Sequence, residues 1–84
     1  MINPFASVDR AALNKYEKKL PQYGNTWKRK SIEFLKERMM GEAKECFWSE
    51  NDKELYEEAL DLMNMARMLA KRSEPMKEAG EKNG

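Results

Sequence analysis

Eighty-four residues make one domain at most, and a chain this short buries so little surface that a partner chain is a common way to complete its core. Sixteen Lys and Arg against fifteen Asp and Glu leave a net charge of +1, which gives no global reason to expect a nucleic-acid or membrane partner. The absence of His removes imidazole acid–base chemistry and the usual zinc site, and a single cysteine, Cys46, excludes an intrachain disulfide and suggests no soft-metal site.

Residues 1–6 read as an extended lead-in, with Pro4 limiting helix there. Ser7-Val8-Asp9 offers an N-cap for a short polar helix running to about Leu20, after which Pro21 and Gly24 bracket a turn. Thr26 is a good N-cap for a second helix over 27–47. Ser49-Glu50-Asn51-Asp52 breaks the pattern, and a third helix follows over 53–71. Pro75 marks its end. The expected layout is therefore one all-α domain over 1–73 and a polar, disordered tail over 74–84. No apolar run reaches bilayer length and no signal-peptide pattern is present, so the expected location is cytoplasmic.

On the second helix Ile32, Leu35, Met39, Ala43 and Cys46 fall on one stripe at helical period. Arg38, Glu42 and Glu45 form a charged stripe beside it, bordered by Phe34 and Trp27, while Lys30, Glu33, Lys36, Glu37 and Lys44 occupy an outer arc. The third helix repeats the arrangement. Leu55, Ala59, Leu62, Ala66 and Leu69 make its apolar stripe, Glu54, Glu58 and Asp61 line one border, and Tyr56, Leu60 and Met63 widen the apolar surface elsewhere. So wide an apolar arc calls for more than one partner helix. The fold class expected is all-α: a helical hairpin plus an N-terminal helix, assembling into a four-helix bundle by dimerisation.

Two acidic pairs, Glu42/Glu45 and Glu58/Asp61, are the feature with most chemical content. A spacing of i, i+3 puts both carboxylates on one helix face, about 5–6 Å apart at Cβ. If the two helices pack antiparallel the pairs meet, and a cage of oxygens suits a hard divalent cation such as Mg²⁺. Clustered carboxylates beside a core are unfavourable without a cation or a proton to compensate them. The bland reading is a set of helix-surface acids in a Glu-rich chain, paired with nearby bases.

Glu42-Ala-Lys-Glu45, twelve intervening residues, then Glu58-Ala-Leu-Asp61-Leu-Met-Asn64 resembles the signature of the MazG-type all-α nucleoside triphosphate pyrophosphohydrolases, E-x-x-E followed by E-x-x-D. Tyr23-Gly24-Asn25-Thr26-Trp27, before a Lys/Arg-rich helix start, also looks like the lead-in of small members, and the resemblance spans residues 23–72. It implies cleavage of a nucleoside triphosphate between the α and β phosphates, giving the monophosphate and pyrophosphate, with Mg²⁺ as cofactor. Carried over by position, Glu42, Glu45, Glu58 and Asp61 would ligate Mg²⁺. Glu45 and Glu54 are both candidates to take the proton from an attacking water.

Other candidates carry a bland and a functional reading side by side. Arg38, one turn before Glu42, is either an i, i+4 ion-pair partner or a fork of donors for phosphate. Asn64 is a polar edge residue or a contact to sugar or phosphate, and Trp27 a buried anchor or a stacking platform for a base. Lys28, Arg29 and Lys30 would sit at a helix N-terminus, where the macrodipole disfavours them, which hints at phosphate contact. Lys71 and Arg72 suit the end of the third helix electrostatically, and Arg72 shares the face of Asp61. Met39, Met65 and Met68 are adaptable core filler or walls of a base pocket. The function expected is an Mg²⁺-dependent pyrophosphohydrolase acting on a nucleoside triphosphate. It would work as a homodimer or homotetramer whose partner chain completes the site. The alternative is a noncatalytic helical module whose Met-rich faces bind a partner helix.

Overall fold

The computed structural model describes residues 3–75 and contains three α-helices, with no strand among the described residues. They are α1 (Ala6–Tyr23), α2 (Ile32–Phe47) and α3 (Asp52–Arg72), and a 3₁₀ turn over Thr26–Arg29 connects α1 to α2. The tail expected from residue 74 lies, from residue 76 onward, outside the described residues.

α1 begins at Ala6 without a side-chain cap, so the Ser7-Val8-Asp9 cap expected from sequence is not used. α1 passes through Pro21 and ends at Tyr23, three residues beyond the expected stop. Proline in a last turn removes one intrahelical bond, and the chain tolerates that loss. Gly24 makes the stop, with φ +59° and ψ −144° and its N–H on the Leu20 carbonyl at 2.7 Å. The expected continuous helix over 27–47 is divided. Ser31, in extended conformation, caps α2 by accepting the Phe34 N–H at 3.0 Å, while Thr26, the cap expected from sequence, opens the separate 3₁₀ turn. Lys28 and Arg29 consequently close that turn instead of opening a helix, and the unfavourable dipole placement inferred from sequence does not arise. At α3, Asn51 accepts the Glu54 N–H at 2.8 Å and the Glu54 carboxylate accepts the Glu50 N–H at 3.1 Å, a variant of the reciprocal capping box.

α2 and α3 form an antiparallel hairpin, and α1 lies against α3. Arg67 reaches Asp9, Asn64 reaches the Ala12 carbonyl and Lys15 reaches Glu57, so α1 also runs antiparallel to α3. The buried apolar residues are Ala12 of α1, Leu35 of α2, and Leu60 and Met65 of α3. Asn64 is buried with them, its Nδ2 donating to the Ala12 carbonyl at 2.9 Å. The core of α3 is thus turned away from the expected stripe: Leu55 and Ala66 of that stripe are exposed and Ala59, Leu62 and Leu69 are half-buried. Docking of α1 on the Glu57, Asp61 and Asn64 side fixes this rotation, and periodicity within α3 carries no information about it.

Candidate active site

The hairpin brings Glu42 of α2 to Glu58 and Asp61 of α3, and one carboxylate oxygen from each lies within 4.8 Å of the others. All three side chains are half-buried. Glu42 Oε1 and Glu58 Oε1 are out of solvent and have no hydrogen-bond partner, which is costly for a carboxylate. Burial, reinforced by the charges of Glu45 and Asp61, pushes the Glu42 carboxyl above its ordinary range despite Arg38 and Lys19 nearby. Glu58 is pushed up first by a hydrogen bond shared with Glu45, then by burial and by the surrounding acids. That bond requires a proton on one of the two carboxyls, because two ionised carboxylates have no donor between them. The Cys46 thiol is likewise held up by burial and by Glu58, so it stays a thiol and adds no soft ligand.

Asp61 differs from the two glutamates in having cations of its own. Lys15 Nζ stands 3.2 Å and Lys19 Nζ 3.4 Å from the same oxygen, Oδ1, and Lys15 also pairs with Glu57 at 2.9 Å. Burial alone would lower Lys15, but the hydrogen bonds and charges of Glu57 and Asp61 outweigh it and hold the ammonium above its ordinary value. Within the acidic group the compensation is therefore uneven: Asp61 is neutralised by α1, whereas Glu42 and Glu58 each keep an orphan oxygen.

A cavity of about 380 Å³ opens beside these acids. Glu42 and Asp61 are part of its wall, and Lys19, Lys30 and Arg38 add three cations around it. Trp27 and Phe34 supply aromatic surface, with the Lys30 ammonium 5.1 Å from the Phe34 ring centre. The far wall, left by the sequence to a partner chain, comes here from Tyr16, Lys19 and Leu20 of the chain's own α1. The 26–30 connector is fastened over the cavity at both ends. Trp27 Nε1 donates to the Tyr16 hydroxyl at 3.1 Å, which in turn donates to Asn25 at 2.9 Å, and the Arg72 guanidinium grips the carbonyls of Trp27 and Lys30.

The residues singled out from sequence divide into those gathered here and those placed elsewhere. Glu42, Glu58 and Asp61 converge; Glu45 is exposed and reaches the group through Glu58. Glu54 stands apart as the cap of α3. Arg38, Trp27, Asn64, Met65 and Met68 line the cavity, although Asn64 also spends its amide on the Ala12 carbonyl. Lys28 lies outside it, its ammonium 5.7 Å over the Trp27 ring, and Lys71 pairs with Glu74 at 2.9 Å beyond the cavity. Arg72 holds main-chain carbonyls and so positions Trp27 rather than facing the cavity itself. Sequence reasoning passed over Lys15, Tyr16 and Lys19, and gave Lys30 both to the solvated arc and to a cationic cluster hinting at phosphate contact. The i, i+4 spacing of Lys15 and Lys19 was the one available hint, and it says nothing about which acids they meet.

Comparison of the chain with protein-family models, with curated proteins and with solved structures finds no match. The chemistry of the donors is therefore the ground for any functional reading. An all-oxygen set with two buried, unpartnered oxygens fits a hard divalent cation better than a zinc-type ion.

Proposed function

We propose that the chain is an Mg²⁺-dependent nucleoside triphosphate pyrophosphohydrolase of the MazG type, cleaving between the α and β phosphates. The observation that carries this reading is the juxtaposition of three converging carboxylates with a cavity ringed by Lys19, Lys30 and Arg38. Acids alone would repel a polyanionic substrate, and cations alone would give binding without chemistry. Together they suit a metal–triphosphate complex.

Glu42, Glu58 and Asp61 would hold the cation, with Glu45 the next carboxylate in line. Mg²⁺, when bound, supplies charge neutralisation and polarisation of the phosphoryl oxygens. Arg38 offers its planar fork of donors to phosphate oxygens, and Lys19 and Lys30 add point charges along the same wall. Trp27 and Phe34 flank the cavity with surface suited to a nucleobase. Glu45 takes the proton of the attacking water; Glu54, engaged in capping α3, is the weaker choice. Water adds its oxygen to phosphorus, the bridging α–β P–O bond breaks, and the monophosphate and pyrophosphate leave. The protein would act in the cytoplasm as a homodimer or homotetramer; no helix among the described residues is long and apolar enough to cross a membrane.

The decisive assay supplies a panel of ribo- and deoxyribonucleoside triphosphates with Mg²⁺ and looks for pyrophosphate with matching monophosphate. Product should appear with at least one substrate and fall at least a hundredfold in Glu42→Gln and Asp61→Asn. No product from any substrate, or undiminished product from both variants, would sink the proposal. The noncatalytic interaction module is the second reading, favoured by the exposure of Phe47 (80%) and Trp48 (66%) at the hairpin turn.

A further inference from the structure

Asp61 differs from the other converging acids in being held by two ammonium groups on one oxygen. Lys15 Nζ and Lys19 Nζ stand 3.2 Å and 3.4 Å from Oδ1, one helical turn apart on α1, where like charges repel. The two lysines are not equivalent. Lys15 is 22% exposed and also donates to the Glu57 carboxylate at 2.9 Å and to the Glu57 carbonyl at 3.0 Å. Lys19 is 50% exposed, and among the described residues Asp61 is its sole ion-pair partner. Lys19 also lines the cavity. The other two cations of that wall, Lys30 and Arg38, form no ion pair with Glu42, Glu58 or Asp61. Lys19 is thus the one cavity cation bound to a member of the acidic group.

We infer that Lys19 is an exchanging phosphate ligand: it holds Asp61 in the cation-free protein and passes to a phosphate oxygen once Asp61 turns to a divalent cation. The inference rests on the metal-dependent reading above and adds to it a coupling between cation and phosphate. Charge balance is the first ground. Lys15 and Lys19 match Glu57 and Asp61 charge for charge, so a cation held by Asp61 leaves this group with a positive excess. The repulsion falls on the ammonium with less to hold it. Lys15 keeps both acceptors on Glu57, whereas Lys19 keeps none. Reach is the second ground. A lysine ammonium rides on a flexible four-carbon stem, so Lys19 can leave Asp61 for the cavity without any movement of α1. Phosphate oxygens entering that cavity offer it a replacement anion. A polyphosphate arriving without its cation finds Lys19 already engaged by Asp61, so cation and phosphate each promote binding of the other.

The test is binding of Mg²⁺ and of pyrophosphate to the full-length chain, read by calorimetry. Lys19→Met removes a competitor for Asp61, so Mg²⁺ alone should bind about threefold more tightly. The same variant loses a charged donor to phosphate, so pyrophosphate at saturating Mg²⁺ should bind about tenfold more weakly. Lys19→Arg should return both affinities towards wild type. Lys18→Gln removes an equal charge from an exposed position of α1 and should move neither. A further readout needs no metal. Asp61→Asn frees Lys19 and should tighten cation-free pyrophosphate binding, a gain that Lys19→Met in the same chain should abolish. Mg²⁺ binding that is unchanged or weaker in Lys19→Met, or undiminished binding of Mg²⁺ with pyrophosphate, overturns the inference. Triphosphate hydrolysis by the same samples is scored separately. Hydrolysis by wild type without the opposed shifts removes the inference alone, and opposed shifts without hydrolysis remove the catalytic reading alone. A wild-type chain that binds neither Mg²⁺ nor pyrophosphate removes both.

Discussion

Glu42 shows how one side chain can be legible by type yet undecided by position. Its folded carboxyl is held above the ordinary 4.5, so the native state binds more protons than the unfolded chain at pH values just above that figure. Stability contributed this way is present below 4.5 and is lost as pH rises through the raised value. Glu42→Gln removes this dependence. Without divalent cation, the melting temperature of the variant relative to wild type should climb as pH goes from 4.5 to 7, and a flat difference would contradict the electrostatic account. Asn64 calls for a different measurement. Asn64→Ala removes the side-chain bond to the Ala12 carbonyl, which keeps its partner within α1, and should cost about 0.5–1.5 kcal/mol in denaturant unfolding. If Asn64 is only structural, the Mg²⁺-induced rise in melting temperature survives the substitution. Arg72→Met should release the Trp27 connector, visible as a red-shifted Trp27 emission in a Trp48→Phe background, because the carbonyls of Trp27 and Lys30 lose their shared donor.

At the scale of elements, the helices were readable and their joints were not. The stretch that forms α3 declares itself through an Asn51 cap, acids in its first turn and bases in its last, and the expected and observed limits agree to one residue. The connector between α1 and α2 is another matter. Thr26 and Ser31 are equally good caps in isolation, and the choice of Ser31 is supported by Arg72, far along the chain, which donates to the carbonyls of Trp27 and Lys30. Ser31→Ala should therefore destabilise the protein by about 1 kcal/mol, while Thr26→Ala, without a capping bond, should change little. Gly24 has a backbone conformation essentially reserved for glycine. Gly24→Ala should cost about 1–3 kcal/mol in the same unfolding measurement, although a Cβ there would meet nothing nearer than 3.9 Å.

For the whole molecule, Mg²⁺ binding to the folded state alone must raise the melting temperature, and a site compensated only at Asp61 leaves room for that gain at Glu42 and Glu58. The shift should shrink in Glu58→Gln, read by thermal unfolding with and without the cation. By itself the sequence determined the all-helical class, the three helical segments and the acidic pairs, because helical period and capping are local properties of neighbouring residues. Tertiary structure alone decided the rest. Docking of α1 selected the face of α3 that is buried and brought Lys15 and Lys19 onto Asp61. It also left Leu55 and Ala66 of the expected apolar stripe exposed, with Ala59, Leu62 and Leu69 half-buried. A helix carries its pattern in its sequence, but which side of that pattern meets a neighbour depends on residues half a chain away.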